Sequence, residues 1–187
     1  MNEKRIRAIK HSEKIDYVKV NAESREILNI SATLAKCWKF AYQGIINEAY
    51  LSSLQDDHWV AFLEKKITEN SVECIITKKE EQIVGLVIFG ESITEEYPDD
   101  GEIHSLYLLP EFIGQGIGPL LFDMAERGLK EKEYKHHLVC VFSKNKAAIQ
   151  FYESHGFKTV STGNEIIMGE QKLSYNIMRK ARKCDDE

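Results

Sequence analysis

The sequence predicts an α/β fold, a mixed and mostly antiparallel sheet of six to seven strands with helices on both faces. Two apolar, β-rich runs at residues 73–77 and 82–91 are separated by the polar tetrapeptide KKEE, the pattern of an antiparallel hairpin. A strand at 102–109, a helix after a glycine-rich bend and a short apolar run at 138–142 form a strand–helix–strand unit. Its two strands should be parallel. Further strands are predicted at 17–20, 157–161 and 172–178.

The helices are predicted from apolar residues spaced three and four apart. The first helical pattern runs from Ala22, with Ile27, Ile30, Leu34 and Trp38 on one stripe. A second helix is predicted over 57–69, and a short one over 145–154. The helix after the bend has the longest stripe, composed of Ile117, Leu120, Leu121, Met124, Gly128 and Leu129.

With 187 residues and no repeat or Pro/Gly/Ser linker, one domain is expected. We assign residues 1–16 to an N-terminal extension, 17–182 to a single domain and 183–187 to a tail. The net charge of -5 disfavours a nucleic-acid binder. Because no apolar run approaches the roughly 20 residues that span a bilayer, no membrane partner is expected.

The four cysteines are scattered without a CxxC pair, so we expect neither a disulfide framework nor a metal site. The first residues are basic but lack the apolar stretch of a secretory signal. These features favour a cytoplasmic protein. A monomer and a homodimer are equally compatible with the sequence.

Three glycines at 114, 116 and 118 lie between the strand ending near Pro110 and the helix starting near Ile117. Amides at such a helix N-terminus can bind a phosphate. A P-loop is excluded because Pro119 and Leu120 follow where Lys and Ser/Thr are required, and the GxGxG spacing is not the dinucleotide fingerprint GxGxxG. On the glycines alone, a coenzyme A bend and a plain flexible turn both remain open.

The helix predicted at 145–154 helps to choose between a coenzyme A bend and a plain turn. Asn145, Ala148 and Tyr152 lie on one face of it. Here the chain resembles the GCN5-related N-acetyltransferase family, whose motifs Gln/Arg-x-x-Gly-x-Gly/Ala and Asn-x-x-Ala-x-x-x-Tyr match residues 113–118 and 145–152. The segment FYESHGF also has the family's form, and the resemblance extends more loosely over 17–179. It implies the acyl-CoA N-acyltransferase fold and transfer of an acetyl group from acetyl-CoA to an amine by direct attack.

Two positions depart from the family pattern. Ile113 stands where the family usually has Gln or Arg, which removes a side-chain contact to the pyrophosphate. Pro119 removes one amide from the first helical turn, where it breaks no intrahelical hydrogen bond. The bend is therefore expected to hold phosphate through backbone amides alone.

The resemblance also implies the residues of the cofactor site. Asn145 would bond the pantetheine arm, cap its own helix, or do both. The backbone of residues 106–108 would pair with the pantetheine, and the Leu108 amide would donate to the developing oxyanion. The predicted cofactor-binding residues are Leu106, Tyr107, Leu108, Ile113, Gly114, Gln115, Gly116, Ile117, Gly118, Asn145, Ala148 and Tyr152.

Three residues are candidates for proton transfer. The family's matching tyrosine points at the coenzyme sulfur, so Tyr152 is the candidate acid; otherwise it is a core aromatic beside Phe151. Glu102 has the position of the base in relatives that use a glutamate on this strand; otherwise it is a solvated carboxylate. Alternation puts Glu102, His104 and Leu106 on one strand face, where His104 can share the role or relay through water.

The acceptor is predicted to be a small-molecule amine, such as a polyamine, bound near Trp38, Phe40 and Tyr42. The acidic loop TEEYPDD, with Glu95, Glu96, Asp99 and Asp100, would lie close by. A core-facing helix and a solvated loop explain most of these residues equally well. Two other functions remain open: a protein lysine or N-terminal acetyltransferase, and a non-catalytic acyl-CoA-binding regulator.

Overall fold

Seven strands form one sheet in the computed structural model, which describes residues 15–21 and 23–181. The strands are β1 (Ile15–Val20), β2 (Val72–Lys79), β3 (Gln82–Glu91), β4 (Gly101–Leu108), β5 (His136–Phe142), β6 (Lys158–Met168) and β7 (Gln171–Ala181). Their spatial order is β1-β2-β3-β4-β5-β7-β6, and all neighbours are antiparallel except β4 and β5. The predicted fold class and the parallel pair are confirmed. Most of the predicted extension and the whole predicted tail lie outside the described residues.

In the described part of the chain five α-helices accompany the sheet: α1 (Ile27–Ala41), α2 (Glu48–Ser53), α3 (Val60–Thr68), α4 (Ile117–Glu131) and α5 (Lys146–Ser154). Residue 22, where the first helix was expected to begin, is outside the described chain. The short helix α2 was not predicted separately. Among the described residues no helix is long and apolar enough to cross a membrane.

Strand β3 is buried on both faces, and its side chains contribute to two separate core clusters. Val87 and Phe89 pack in the cluster built around α4. Leu86 and Ile88 pack in the cluster that contains residues of α1 and α3. Helices therefore cover both faces of the sheet, as predicted from the sequence.

The buried stripe of α4 differs from the predicted one. Leu120 is half exposed, whereas Phe122 and Ala125 are buried beside Leu121. Leu120 lies about 100° around the helix from Leu121, which turns it away from the sheet. Leu120 was assigned to the buried stripe because it lies three residues after Ile117. The buried stripe instead contains Leu121, which lies four residues after Ile117.

Candidate active site

The parallel strands β4 and β5 separate soon after they meet. Their pairing comprises Gly101 with His137 and Glu102 with Leu138, although β4 continues to Leu108 and β5 to Phe142. A gap therefore opens in the middle of the sheet between the carboxyl ends of these strands. Main-chain groups along the gap are left to pair with a ligand.

The hydrogen bonds of β4 show which main-chain groups face this gap. The Leu109 amide donates to the Val84 carbonyl of β3 over 2.8 Å. Since successive residues of an antiparallel strand direct their main-chain groups to opposite edges, those of Leu108 and Leu106 point to the β5 side. The Tyr107 main chain points to β3 instead, so Tyr107 reaches the gap region only through its side chain.

A bulge in β4 changes which side chains share a face. Ile88 of β3 is opposite Ser105 and Phe89 is opposite Ile103, so His104 is an extra residue in the ladder. A cavity on the α1 face, called the central cavity below, is lined by Glu102, His104, Ser105 and Tyr107 but not by Leu106. The expected alternation of Glu102, His104 and Leu106 is therefore wrong beyond His104. Leu106 packs against the α4 side of the core.

The central cavity has a volume of about 620 Å³, and aromatic side chains form part of its wall. The Trp38 ring lies 4.9 Å from the Tyr42 ring and 5.1 Å from the Trp59 ring, measured between centroids. Glu95 and Glu96 line the same cavity. It therefore combines apolar ring faces with carboxylates, which suits a cationic ligand with an apolar body.

Glu102 is buried at the base of this cavity, and one of its oxygens is fully engaged. Its Oε2 accepts hydrogen bonds from Ser92 Oγ at 3.0 Å, Ile93 N at 2.9 Å and Thr94 Oγ1 at 3.2 Å. These three donors fix the carboxylate in one orientation. Oε1 is left facing His104, with 3.6 Å between Oε1 and Nδ1. The alternative of a solvated strand-end carboxylate is wrong, because Glu102 is only 4% exposed.

The His104 ring is buried, and neither nitrogen has a well-formed hydrogen bond among the described residues. Burial lowers its pKa below the usual value, and the nearby Glu102 carboxylate and Glu91 backbone oppose that shift. The ring is therefore neutral at neutral pH and can accept a proton. Two buried ring nitrogens without a partner are the arrangement expected where a water or a ligand group completes the hydrogen bonds.

Three tyrosines lie close together beside the cavity. The hydroxyl oxygens of Tyr42 and Tyr107 are 2.5 Å apart, so one donates to the other. Tyr152 is buried against Phe122 and Phe157. Burial raises the pKa of the Tyr152 hydroxyl, and the nearby Tyr42 raises it further. Tyr152 therefore keeps its proton at neutral pH, as a proton donor must.

The glycine-rich bend is open and carries main-chain amides without partners in the described chain. Gly114 and Gly116 have φ values of +80° and +83°, and a Cβ at either would meet no atom within 4 Å. None of the amides from 114 to 118 donates to another group of the described chain. The Ile113 amide, by contrast, donates to Pro110. Open amides at the N-terminus of α4 are suited to hold a phosphate.

The N-terminus of α5 is capped by its own motif residue. The Asn145 Oδ1 atom accepts a hydrogen bond from the Ala148 amide over 3.1 Å. Asn145 is therefore an N-cap. Contact between its side-chain amide and the pantetheine stays a prediction, as does the role of Ala148.

Two expectations about the acceptor wall are wrong. Phe40 is half exposed and does not line the central cavity, because residues two apart on a helix face different directions and Trp38 occupies the inner side. Asp100 is buried and pairs with Arg179 through two hydrogen bonds of 2.5 and 2.9 Å. Asp100 therefore anchors the acidic loop and does not face an acceptor.

Sequence reasoning missed the residues that hold Glu102. Ser92 and Thr94 precede it by ten and eight positions. A Ser-x-Thr segment at the end of a strand has no distinctive pattern, so only the folded chain reveals its role. Cys140 also lines the cavity and lies 3.5 Å from Thr94 Oγ1, and its thiol pKa is raised to about 11 mainly by burial.

Comparisons with known proteins agree with this geometry. Residues 38–157 match the family model described as the acetyltransferase (GNAT) family. A spermidine N(1)-acetyltransferase of Thermoplasma acidophilum is 30% identical over 139 residues, which cover 70% of this chain and 82% of that protein. An uncharacterized N-acetyltransferase of Bacillus subtilis is 27% identical over 150 residues, covering 79% and 84%.

Solved structures share the fold. The PaiA N-acetyltransferase of Thermoplasma acidophilum in complex with coenzyme A has a TM-score of 0.71 at 22% identity, covering 90% of this chain and 99% of that one. An N-acetyltransferase from Staphylococcus aureus has a TM-score of 0.68 at 20% identity, covering 90% and 98%. The predictions of an acyltransferase and of acetyl-CoA as its co-substrate are confirmed at the level of the family. The chain belongs to the GNAT family of acetyltransferases.

Proposed function

We propose that the protein transfers an acetyl group from acetyl-CoA to a primary amine of a small cationic molecule, with polyamines as the first candidates. The observation that carries the proposal is the central cavity. Its volume of about 620 Å³ lies in the range of small-molecule sites, roughly 300–1,000 Å³. Its aromatic wall and carboxylates suit an alkyl ammonium chain. The relative that acts on spermidine supports the same class.

Acetyl-CoA, when bound, supplies a thioester whose acyl carbon is the electrophile. The amides from 114 to 118 would hold its pyrophosphate, and the main chain at Leu106 and Leu108 would hold its pantetheine arm in the β4–β5 gap. In this arrangement the Leu108 N–H is the donor for the oxyanion. Asn145 and Tyr152 stand on the β5 side of the gap.

The amine must lose a proton before it attacks, since an alkyl ammonium has a pKa near ~10.4. Glu102 Oε1 and the neutral His104 ring are the accepting atoms that this chain offers at the base of the cavity. Their separation of 3.6 Å leaves the choice of first acceptor to the position of the bound amine or of one water. Tyr152 holds its proton at the hydroxyl oxygen and is the donor for the sulfur that leaves.

The test is release of free thiol from acetyl-CoA by the purified protein with a panel of amines. Polyamines, aminoglycosides, amino-acid amines and lysine-containing peptides are compared at equal concentration, with the Glu102→Gln variant as the catalytic control. We expect turnover with a polyamine at a higher kcat/KM than with any peptide.

Two outcomes would assign a different function. Turnover of peptide amines without turnover of small amines would indicate a protein acetyltransferase. Tight binding of acetyl-CoA with no turnover of any amine would indicate a non-catalytic acyl-CoA-binding regulator.

A further inference from the structure

Gln171, the first residue of β7, bonds to the loop between α1 and α2. Its side-chain Oε1 accepts a hydrogen bond from the Asn47 amide over 2.6 Å, and its Nε2 donates to the Ile45 carbonyl over 3.0 Å. The bonded residues stand 124 and 126 positions earlier in the chain. One side-chain amide thus satisfies a main-chain donor and a main-chain acceptor, as a neighbouring strand would.

Other contacts bring the same two segments together. Gly169, in the β6–β7 turn, lies against the Tyr50 ring so closely that a Cβ there would be 3.2 Å from Cδ2. Leu173 packs with Ile46 and Leu51 in a separate small cluster. The paired amide of Gln171 adds directional bonds to a contact that is otherwise apolar.

Both joined segments contribute to the wall of the central cavity. Tyr42 stands three residues before Ile45, and Met168 stands three residues before Gln171. Met168 also lines a second cavity of about 740 Å³, which is bounded by the same loop and turn. The bonds of Gln171 therefore lie where a shift of either segment would change the width of the central cavity.

We propose that Gln171 is a positioning residue that fixes the α1–α2 loop against the β6–β7 turn and so limits the size of the amine that is admitted. This inference rests on the proposed function, because it treats the central cavity as the acceptor site. The bend at 114–118 contributes no lining residue to either of these two cavities. Loss of the Gln171 bonds should therefore affect the acceptor and leave acetyl-CoA binding intact.

The test compares Gln171→Met with Lys172→Met. Methionine has nearly the length of glutamine but cannot form the two hydrogen bonds, and Lys172 is an exposed neighbour whose ion pair is with Glu165. Steady-state kinetics with spermidine should show KM for the amine rising roughly tenfold in Gln171→Met, with kcat and KM for acetyl-CoA within about twofold. Lys172→Met should match the wild type.

A second variant tests the bond to Ile45 separately. Gln171→Glu keeps an oxygen for the Asn47 amide, but its other carboxylate oxygen would face the Ile45 carbonyl, and two acceptors repel each other. KM for the amine should therefore rise in Gln171→Glu as it does in Gln171→Met. The ratio of kcat/KM for a bulky amine to that for spermidine should rise in both variants.

Hydrogen exchange of the Asn47 amide tests the contact without any substrate. It should be faster in Gln171→Met and unchanged in Lys172→Met, while amides of β3 exchange as in the wild type and show that the fold is intact. Unchanged exchange at Asn47 would overturn the inference. So would faster exchange with an unchanged KM for the amine, although the proposed function would then stand. No turnover of any amine by the wild type would remove the proposed function and, with it, the role of Gln171 in acceptor selection.

Discussion

The Oε1 atom of Glu102 lies 3.6 Å from the Nδ1 atom of His104, while the other oxygen of Glu102 accepts three hydrogen bonds. Both side chains project from β4 into the central cavity. Three donors hold one carboxylate oxygen, and the other oxygen is directed toward a neutral imidazole. Glu102 Oε1 and the His104 ring are therefore two adjacent proton acceptors. The acceptor amine would meet both.

Replacing Glu102 with Gln should reduce kcat/KM for the amine by on the order of 10²- to 10⁴-fold, the usual contribution of a general base. Glutamine keeps the size of the side chain and an oxygen for Ser92 and Thr94, so the fold should persist. Acetyl-CoA affinity, measured by calorimetry, should be unchanged. Glu165→Gln, at a half-exposed carboxylate of β6, is the control and should retain activity. Activity of Glu102→Gln within a few-fold of the wild type would exclude Glu102 as the base.

His104 should make the protein less stable in mild acid. Its folded pKa is lowered by burial, whereas in the unfolded chain it has the ordinary value of about 6.5. As the pH falls through about 6.5, the unfolded chain binds a proton before the folded one does, so the free energy of unfolding decreases. Above that pH the residue adds no pH dependence.

Urea denaturation at several pH values from 7.5 to 5 checks this sign. Relative to His104→Gln, the wild type should lose stability as the pH falls, by at most about 1.4 kcal/mol per pH unit. If the wild type instead gains stability relative to the variant, Glu102 outweighs burial and the ring is charged in the folded protein.

Tyr152→Phe should lower kcat by on the order of 10²-fold while leaving acetyl-CoA affinity intact. Phenylalanine keeps the packing against Phe122 and Phe157 and removes only the hydroxyl, whose pKa is raised by burial. Single-turnover kinetics with saturating amine separates this effect from product release. An unchanged rate would mean that Tyr152 is a core aromatic, the alternative that the sequence left open.

Tyr42→Phe should destabilise the protein by about 1–3 kcal/mol, because it leaves the Tyr107 hydroxyl without its 2.5 Å partner. Burial raises the pKa of the Tyr107 hydroxyl far above its ordinary value. The double variant Tyr42→Phe/Tyr107→Phe should recover part of the loss, since both polar groups are then absent. Free energies of unfolding of the wild type, the two single variants and the double variant, measured by denaturant titration, form a double-mutant cycle that tests this. If the double variant loses as much free energy of unfolding as the two single variants together, the two hydroxyls are not directly bonded.

Two of the strand pairings and the site's motifs followed from local patterns. The KKEE hairpin and the strand–helix–strand unit predict the pairing of β2 with β3 and of β4 with β5, because each pair joins strands that follow one another along the chain. Asn145 is visible as a helix start for the same reason. Features of this kind are readable without tertiary information.

The errors came from features that depend on distant contacts. Period-two alternation placed Leu106 with His104, but a bulge opposite β3 shifts the strand by one residue, and nothing in the β4 sequence marks it. The burial of Glu102 depends on Ser92 and Thr94, which reach it only in the folded sheet. The Gln171 bonds span more than a hundred residues, so no local pattern predicts them.

Gly116→Ala should both strain the chain and obstruct the cofactor. Gly116 caps α4 in the left-handed conformation at φ +83°, which costs a residue with a Cβ about 1–2 kcal/mol. The new methyl group would stand in open space at the bend, where we propose that the pyrophosphate binds. KM for acetyl-CoA should therefore rise, with KM for the amine little changed.

Gly163→Ala separates strain from obstruction. Gly163 has φ +74° and open space at its Cβ, but it lies in β6 and away from the bend. The two variants should lose similar stability in thermal denaturation, whereas only Gly116→Ala should raise KM for acetyl-CoA. If both variants bind acetyl-CoA as the wild type does, the bend is a turn that needs glycine only for its backbone angles, and the pyrophosphate is held elsewhere.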